Sequence, residues 1–266
     1  MFKVGAIARR RRVPFPRSCL MKPLILGALC VVALAACGNP EAERQQQEAA
    51  AAQERARREA DAEGIARLYD AAVTATEWEK ARVHGAALLD QFPDSEAARR
   101  IEPGFAEVKE KAEAARELRR MQGLWNYNQV AVGNKGVQRS AAIYSQERVD
   151  VDGSGAKPVQ LVFRDHPEWK RHAYLVLQAG DFAKACYGSC QVTVTVDAQA
   201  PRRMAAYRPD TDEAIAMFIT DNRGLWRLAR KARVVRIEFP VKAGGTRTAV
   251  FETGGLDGSQ MPAGWD

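Results

Sequence analysis

The spacing of apolar residues changes character along the chain. Pro23–Ala36 is an unbroken run of apolar and small residues, PLILGALCVVALAA. Residues 41–63 have Ala as their only apolar type, set among Glu, Gln, Arg and Asp. Ala, Glu, Gln and Arg favour helix, but Ala alone buries too little area to pin a segment to a core. This stretch therefore predicts a semi-rigid helical spacer, about 35 Å long if fully helical. A coiled coil is disfavoured because no Leu, Ile or Val occupies a heptad seam.

From Gly64 the pattern becomes that of packed helices. Ile65, Leu68, Tyr69 and Ala72 fall at i, i+3, i+4 and i+7 and predict one apolar face. Thr76-Glu77-Trp78-Glu79 fits a capping box that opens a second helix, on which Trp78, Ala81, Gly85, Leu88, Leu89 and Phe92 share a face. Gly85 falls where close helix packing needs a small residue. Pro93 stops that helix, Asp94 or Ser95 caps a short one, and Pro103-Gly104 predicts another break. Phe105, Val108, Ala112, Ala115 and Leu118 stripe a last helix closed near Gly123.

Beyond residue 123 the period falls to two. Val159, Leu161 and Phe163, then Val192, Val194 and Val196, then Val235, Ile237 and Phe239 alternate with other, mostly polar, residues. Leu124–Val132, His172–Gln178, Ile215–Ile219 and Thr246–Glu252 add strands, separated by Gly- and Asp-rich turns. One helix interrupts them, capped by Asp221 or Asn222, with Leu225, Leu228, Ala229 and Ala232 toward the core. The pattern predicts an α+β multidomain chain: a helical stalk and helical hairpins, then an antiparallel β-sandwich, jelly-roll-like, with one helix. The expected divisions are a leader over 1–36, a tether over 37–63, a helical hairpin over 64–122 and the β-domain over 123–266.

Length and composition allow a sizeable core: 266 residues, 46% hydrophobic and 27% charged. The net charge of +7 is misleading. Seven of the 40 Lys and Arg lie in residues 1–36, which carry no acid; the remaining 33 face 33 Asp and Glu. Neutrality of the remainder gives no reason to expect nucleic acid as a partner.

The run Pro23–Ala36 rises about 21 Å as a helix, short of a hydrocarbon slab about 30 Å thick. A positive start, a short apolar run and small residues at its end read as a secretory signal. Leu34-Ala35-Ala36-Cys37 ends that run and resembles the lipobox of bacterial lipoproteins. The resemblance implies cleavage before Cys37, acylation of its thiol, and anchoring in a bilayer through several acyl chains. It also implies the outer membrane, facing the periplasm, because Gly38 rather than Asp follows the cysteine. Arg9–Arg12 before Phe15 only faintly suggests a twin-arginine signal, interrupted by Pro14 and Pro16; a start at Met21 gives a compact leader.

Of five cysteines, Cys19 and Cys30 precede the cleavage point and Cys37 is the lipidation site, leaving Cys186-Tyr-Gly-Ser-Cys190. In an oxidising compartment this pair reads as a disulfide across a tight connection between antiparallel strands, contributing about 2 kcal/mol. Redox pairs usually have two intervening residues, and a metal site needs further ligands.

The segment Leu68–Ala98, through Trp78-Glu-Lys-Ala81 and Phe92-Pro93-Asp94-Ser95, resembles a tetratricopeptide helix pair over about one repeat. A plain helical hairpin explains it as well, since such arrays generally need three or more units. Trp125-Asn-Tyr127 through the cysteine turn to Met217-Phe218-Ile219 resembles a β-rich domain of uncharacterised bacterial lipoproteins, some phage-encoded. That resemblance carries no activity and no catalytic residue.

Candidate chemistry is sparse. His166 and His172 flank Asp165-His166-Pro167-Glu168-Trp169-Lys170-Arg171-His172, which holds ligand-type residues in an expected hairpin turn; His84 lies in a helix. Asp150-Val-Asp152-Gly-Ser154-Gly155 mimics the start of a calcium loop, but its twelfth position is Leu161 instead of Glu. Arg227, Arg230, Lys231 and Arg233 suit a helix C-terminus. No nucleophile elbow or phosphate-binding glycine loop occurs. The expectation is a lipid-anchored periplasmic protein acting as a non-enzymatic interaction or assembly module with an envelope protein partner, without metal or cofactor. The alternative is an envelope hydrolase acting on cell-wall glycan, which requires titratable groups converging in a cleft near His166 or His172.

Overall fold

The structure, a computed structural model, describes residues 40–265 apart from residue 212. Leader, lipobox and Cys37 lie outside the described residues. The chain divides into two units, one ending at Ala52 and one beginning at Gln53. In the first, the described residues form the start of helix α1 (Pro40–Thr74), with Pro40 at its first position and Glu41 and Glu43 in the first turn, where the helix dipole favours acids.

In the second unit α1 continues through Gly64 without interruption. It buries Ala62, Ala66, Tyr69 and Ala72 and leaves Leu68 54% exposed. Of the expected face, Tyr69 and Ala72 are buried and Ile65 packs beside them; Leu68 alone lies outside it, and Ala62 and Ala66 extend it. Helices α2 (Trp78–Gln91) and α3 (Glu96–Gln122) complete the bundle. A Cβ on Gly85 would lie 2.5 Å from the Phe105 ring and 3.1 Å from Tyr69, so the expected small residue sits at a close helix contact.

Two local expectations are corrected. Thr76 does not open α2 through a capping box; it ends α1. Its φ is 56°. Its N–H donates to Val73 O at 3.0 Å, and the Glu77 N–H donates to Ala72 O at 2.9 Å. That pattern satisfies the last carbonyls of α1 through a left-handed residue. Glu79 pairs with Arg82 at 2.6 Å instead of reaching back. Nor does Pro103 break the third helix, which runs through it. An interior Pro costs about 3 kcal/mol, and burial of Ala98, Ile101, Val108 and Ala112 along the same helix offsets that cost. Its N-terminus is held twice: Ser95 Oγ accepts from Ala98 N at 3.0 Å, and Glu59 of α1 accepts from Glu96 N at 2.8 Å.

Nine strands follow: β1 (Trp125–Ala131), β2 (Val137–Tyr144), β3 (Gln160–His166), β4 (Lys170–Val176), β5 (Cys190–Val196), β6 (Arg202–Tyr207), β7 (Ala216–Ile219), β8 (Val235–Pro240) and β9 (Thr246–Phe251). They form one open sheet, ordered β1-β2-β3-β4-β7-β6-β5-β8-β9, with every strand pair antiparallel. The expected sandwich or jelly roll, two sheets face to face, is therefore corrected to a single sheet. Alternation reveals that one face is buried but not what buries it. Here the sheet curls: Gln146, just after β2, donates to Val250 O of β9 at 2.7 Å. The inner faces of all nine strands share one core with helix α4 (Asn222–Lys231). Asp221 caps α4 by accepting from Gly224 N at 2.8 Å, and Leu225, Trp226 and Ala229 point inward. The Arg120 guanidinium joins α3 to the sheet, reaching Glu252 beside β9 at 2.6 Å.

Candidate functional site

Because strand residues alternate between faces, burial of Phe163, Leu175, Met217 and Ala206 in the core turns their neighbours outward. Register then sets those neighbours in rows. Ala142 faces Val162, Val162 faces Tyr174, Tyr174 faces Phe218 and Phe218 faces Tyr207. The outer face therefore carries an aromatic row across β4, β7 and β6. Tyr174 and Phe218 lie 5.1 Å apart, Tyr207 and Phe218 5.3 Å, between ring centroids. All three rings are half-buried.

The neighbouring row carries one cation, Arg164. Ser140 faces Arg164, and Arg164 faces His172. The Arg164 guanidinium lies 5.2 Å from the ring centroids of both Trp169 and Tyr174, a geometry in which the ring quadrupoles attract the cation. Its Nε is buried without a hydrogen-bond partner. Trp169 is 59% exposed and stacks on His166 at 3.9 Å. His166 is itself buried, and its Nδ1 accepts from the backbone N–H groups of Glu168 and Trp169, both at 3.2 Å. It thereby shapes the β3–β4 turn that presents Trp169.

His172 packs edge-on against Phe218 at 5.5 Å, and its Nδ1 is buried without a partner. Burial first, and then the positive charge of Arg164, hold its imidazole below the ordinary value of 6.5. The unfolded chain therefore takes up that proton more readily than the folded one. Stability is expected to fall as pH drops through about 6.5, to level off below the folded value, and to be unaffected well above 7. Urea melts across this range should show the step in the parent and lose it in His172→Gln.

Other candidates resolve into turns and pairs. Asp150 accepts from Gly153 N at 2.7 Å, and Asp152 accepts from Ser154 N at 3.0 Å, so both carboxylates brace their own turn. Arg233 pairs with Glu117 at 2.9 Å. His84 is half-buried on α2. Among the described residues no group of three His, Cys, Asp or Glu could hold a metal ion. Cys186 and Cys190 are joined by a disulfide, with Cα atoms 4.7 Å apart. Cys186 ends a short 3-10 turn and Cys190 opens β5, so the bridge links a turn to a strand and not two paired strands. Cys186 O accepts from Arg208 N at 3.0 Å. Arg208 is buried and donates to the carbonyls of Phe182, Pro209 and Thr211, tying down the segment before β7.

The sequence singled out His166 and His172, and the structure brings both to the outer face beside the aromatic row. It missed Arg164, Tyr174, Tyr207 and Phe218. The outward alternation of Arg164, Tyr174 and Phe218 was visible within their strands, whereas the strand of Tyr207 was not expected, and the convergence of all four depends on the non-local pairing of β4 with β7. No protein-family model, curated protein or solved structure matches this chain.

Proposed function

We propose that this chain is a lipid-anchored protein of the bacterial cell envelope, held by acylated Cys37 at the periplasmic side of the outer membrane. Its sheet serves as a non-enzymatic binding module. The observation that carries the binding role is the outer-face row of Tyr174, Phe218 and Tyr207 flanked by Arg164, which offers stacking and charge. The lipobox Leu34-Ala35-Ala36-Cys37 supports anchoring. The helix that begins at Pro40 supports a spacer role, with its first residues solvent-exposed. The disulfide supports an oxidising compartment.

Expressed in a bacterium and labelled with palmitate, the parent chain should carry the label in the membrane fraction. Cys37→Ala should lose the label and leave that fraction. Unlabelled parent protein, or Cys37→Ala fractionating as before, overturns the anchoring.

A further inference from the structure

We infer that the outer face of the sheet binds an acidic glycan, a polysaccharide whose sugar rings carry sparse carboxylates. The inference deepens the binding role proposed above and does not depend on the anchor. Strands β2, β3, β4, β6 and β7 contain a single carboxylate, Asp165. Asp165 alternates to the inner side and pairs with Arg171 at 2.9 Å. The outward positions of these strands hold Arg164, Lys170 and Arg203 and no acid. Neither Arg164 nor Arg203 has a carboxylate partner among the described residues. Such a face repels nothing anionic and has positive charge to offer.

The shape is that of a strip. Val162, Tyr174, Phe218 and Tyr207 stand on four adjacent strands, about 14 Å from end to end at ordinary strand spacing. Beside them, Ser140 and Gln160 supply hydroxyl and amide groups on the same outward side, half-buried. An extended ligand with apolar ring faces, many hydroxyls and an occasional carboxylate matches this order: rings along the aromatic row, a carboxylate on the Arg164 guanidinium beside it. A single-stranded nucleic acid also stacks on aromatics, but its backbone carries a charge at every unit and is tracked by a continuous positive groove. Three outward cations, on a chain balanced at 33 basic and 33 acidic residues after the leader, fit the sparser charge.

The full chain in detergent micelles, titrated calorimetrically with oligogalacturonate, should bind it, with affinity falling as salt rises. Neutral galacto-oligosaccharides of matched length should bind at least tenfold more weakly. Arg164→Gln should weaken oligogalacturonate binding about tenfold and Phe218→Leu about fivefold, each with the thermal midpoint recorded to show a folded sheet. Cys37→Ala should bind as the parent does, which separates failure of this inference from failure of the anchor. No binding, equal binding of the neutral oligosaccharide, tighter binding of oligodeoxythymidylate, or parental affinity in a folded Arg164→Gln overturns it.

Discussion

Trp226→Ala is expected to destabilise the sheet domain by about 4 kcal/mol, the range for deleting a fully buried aromatic. Trp226 is 1% exposed. Its ring meets Phe163 edge-on at 5.1 Å and Trp265 at 5.1 Å, while Phe163 contacts Trp265 at 5.8 Å and Trp125 at 6.2 Å. One side chain therefore joins α4 to β3 and the C-terminal tail, with β1 reached through Phe163. Its loss leaves a cavity between a helix and a curved sheet, which the sheet cannot fill without breaking ladder hydrogen bonds. Urea denaturation followed by far-UV circular dichroism measures the effect. A shift worth less than about 1 kcal/mol would show that the cluster is peripheral to the core. Trp226→Phe, which keeps most of the volume, should recover part of the loss.

Gly255→Ala is expected to cost about 3 kcal/mol by overpacking and to loosen the helical bundle from the sheet. A Cβ at Gly255 would lie 2.2 Å from Gln122 N and 2.3 Å from the Met121 carbonyl carbon. Both are backbone atoms at the end of α3, so no side-chain rotation relieves the clash. The helix end must move, straining the ion pairs of Arg120 with Glu252 and of Arg233 with Glu117. Hydrogen exchange should accelerate in the last turns of α3 and at Thr253–Gly255, alongside a lower melting temperature. Gly64→Ala is the matched control: nothing lies within 4 Å of its Cβ, and a helical Ala there should stabilise by up to about 1 kcal/mol. If both variants melt alike, the close approach at Gly255 does not constrain the joint.

How legible each feature was depended on how local its cause is. The α-then-β order, the cap sites of α3 and α4 and the inward valines of β5 follow from short-range periodicity and capping chemistry; the structure agrees, and takes Ser95 over Asp94 and Asp221 over Asn222 as the caps. Strands β2 and β6 escaped notice because their buried residues, Ala141 and Ile143 and then Met204 and Ala206, share a parity with Arg139 and Arg202 and adjoin the outer Ala142 and Ala205, giving little contrast between faces. The Thr76 box failed because the same Ser/Thr-x-x-Glu spacing precedes a helix and follows one, and only the backbone turn chooses between them. Of the expected face of α1, Tyr69 and Ala72 are buried and Leu68 is not, because the apolar stripe alone does not say how wide the packed strip is; Tyr69 reaches the space that Gly85 leaves.

By itself the sequence determined the helices, most of the strands, and the alternation that assigns the residues of those strands to one of two faces. Tertiary structure decided that there is one curled sheet in place of two. It also brought β4 beside β7, and so put Arg164, Tyr174, Phe218 and Tyr207 in one place. Alternation is a property of a single strand, fixed by backbone geometry within a few residues. Which strands become neighbours depends on closing long loops around a shared core, and no local pattern encodes that choice.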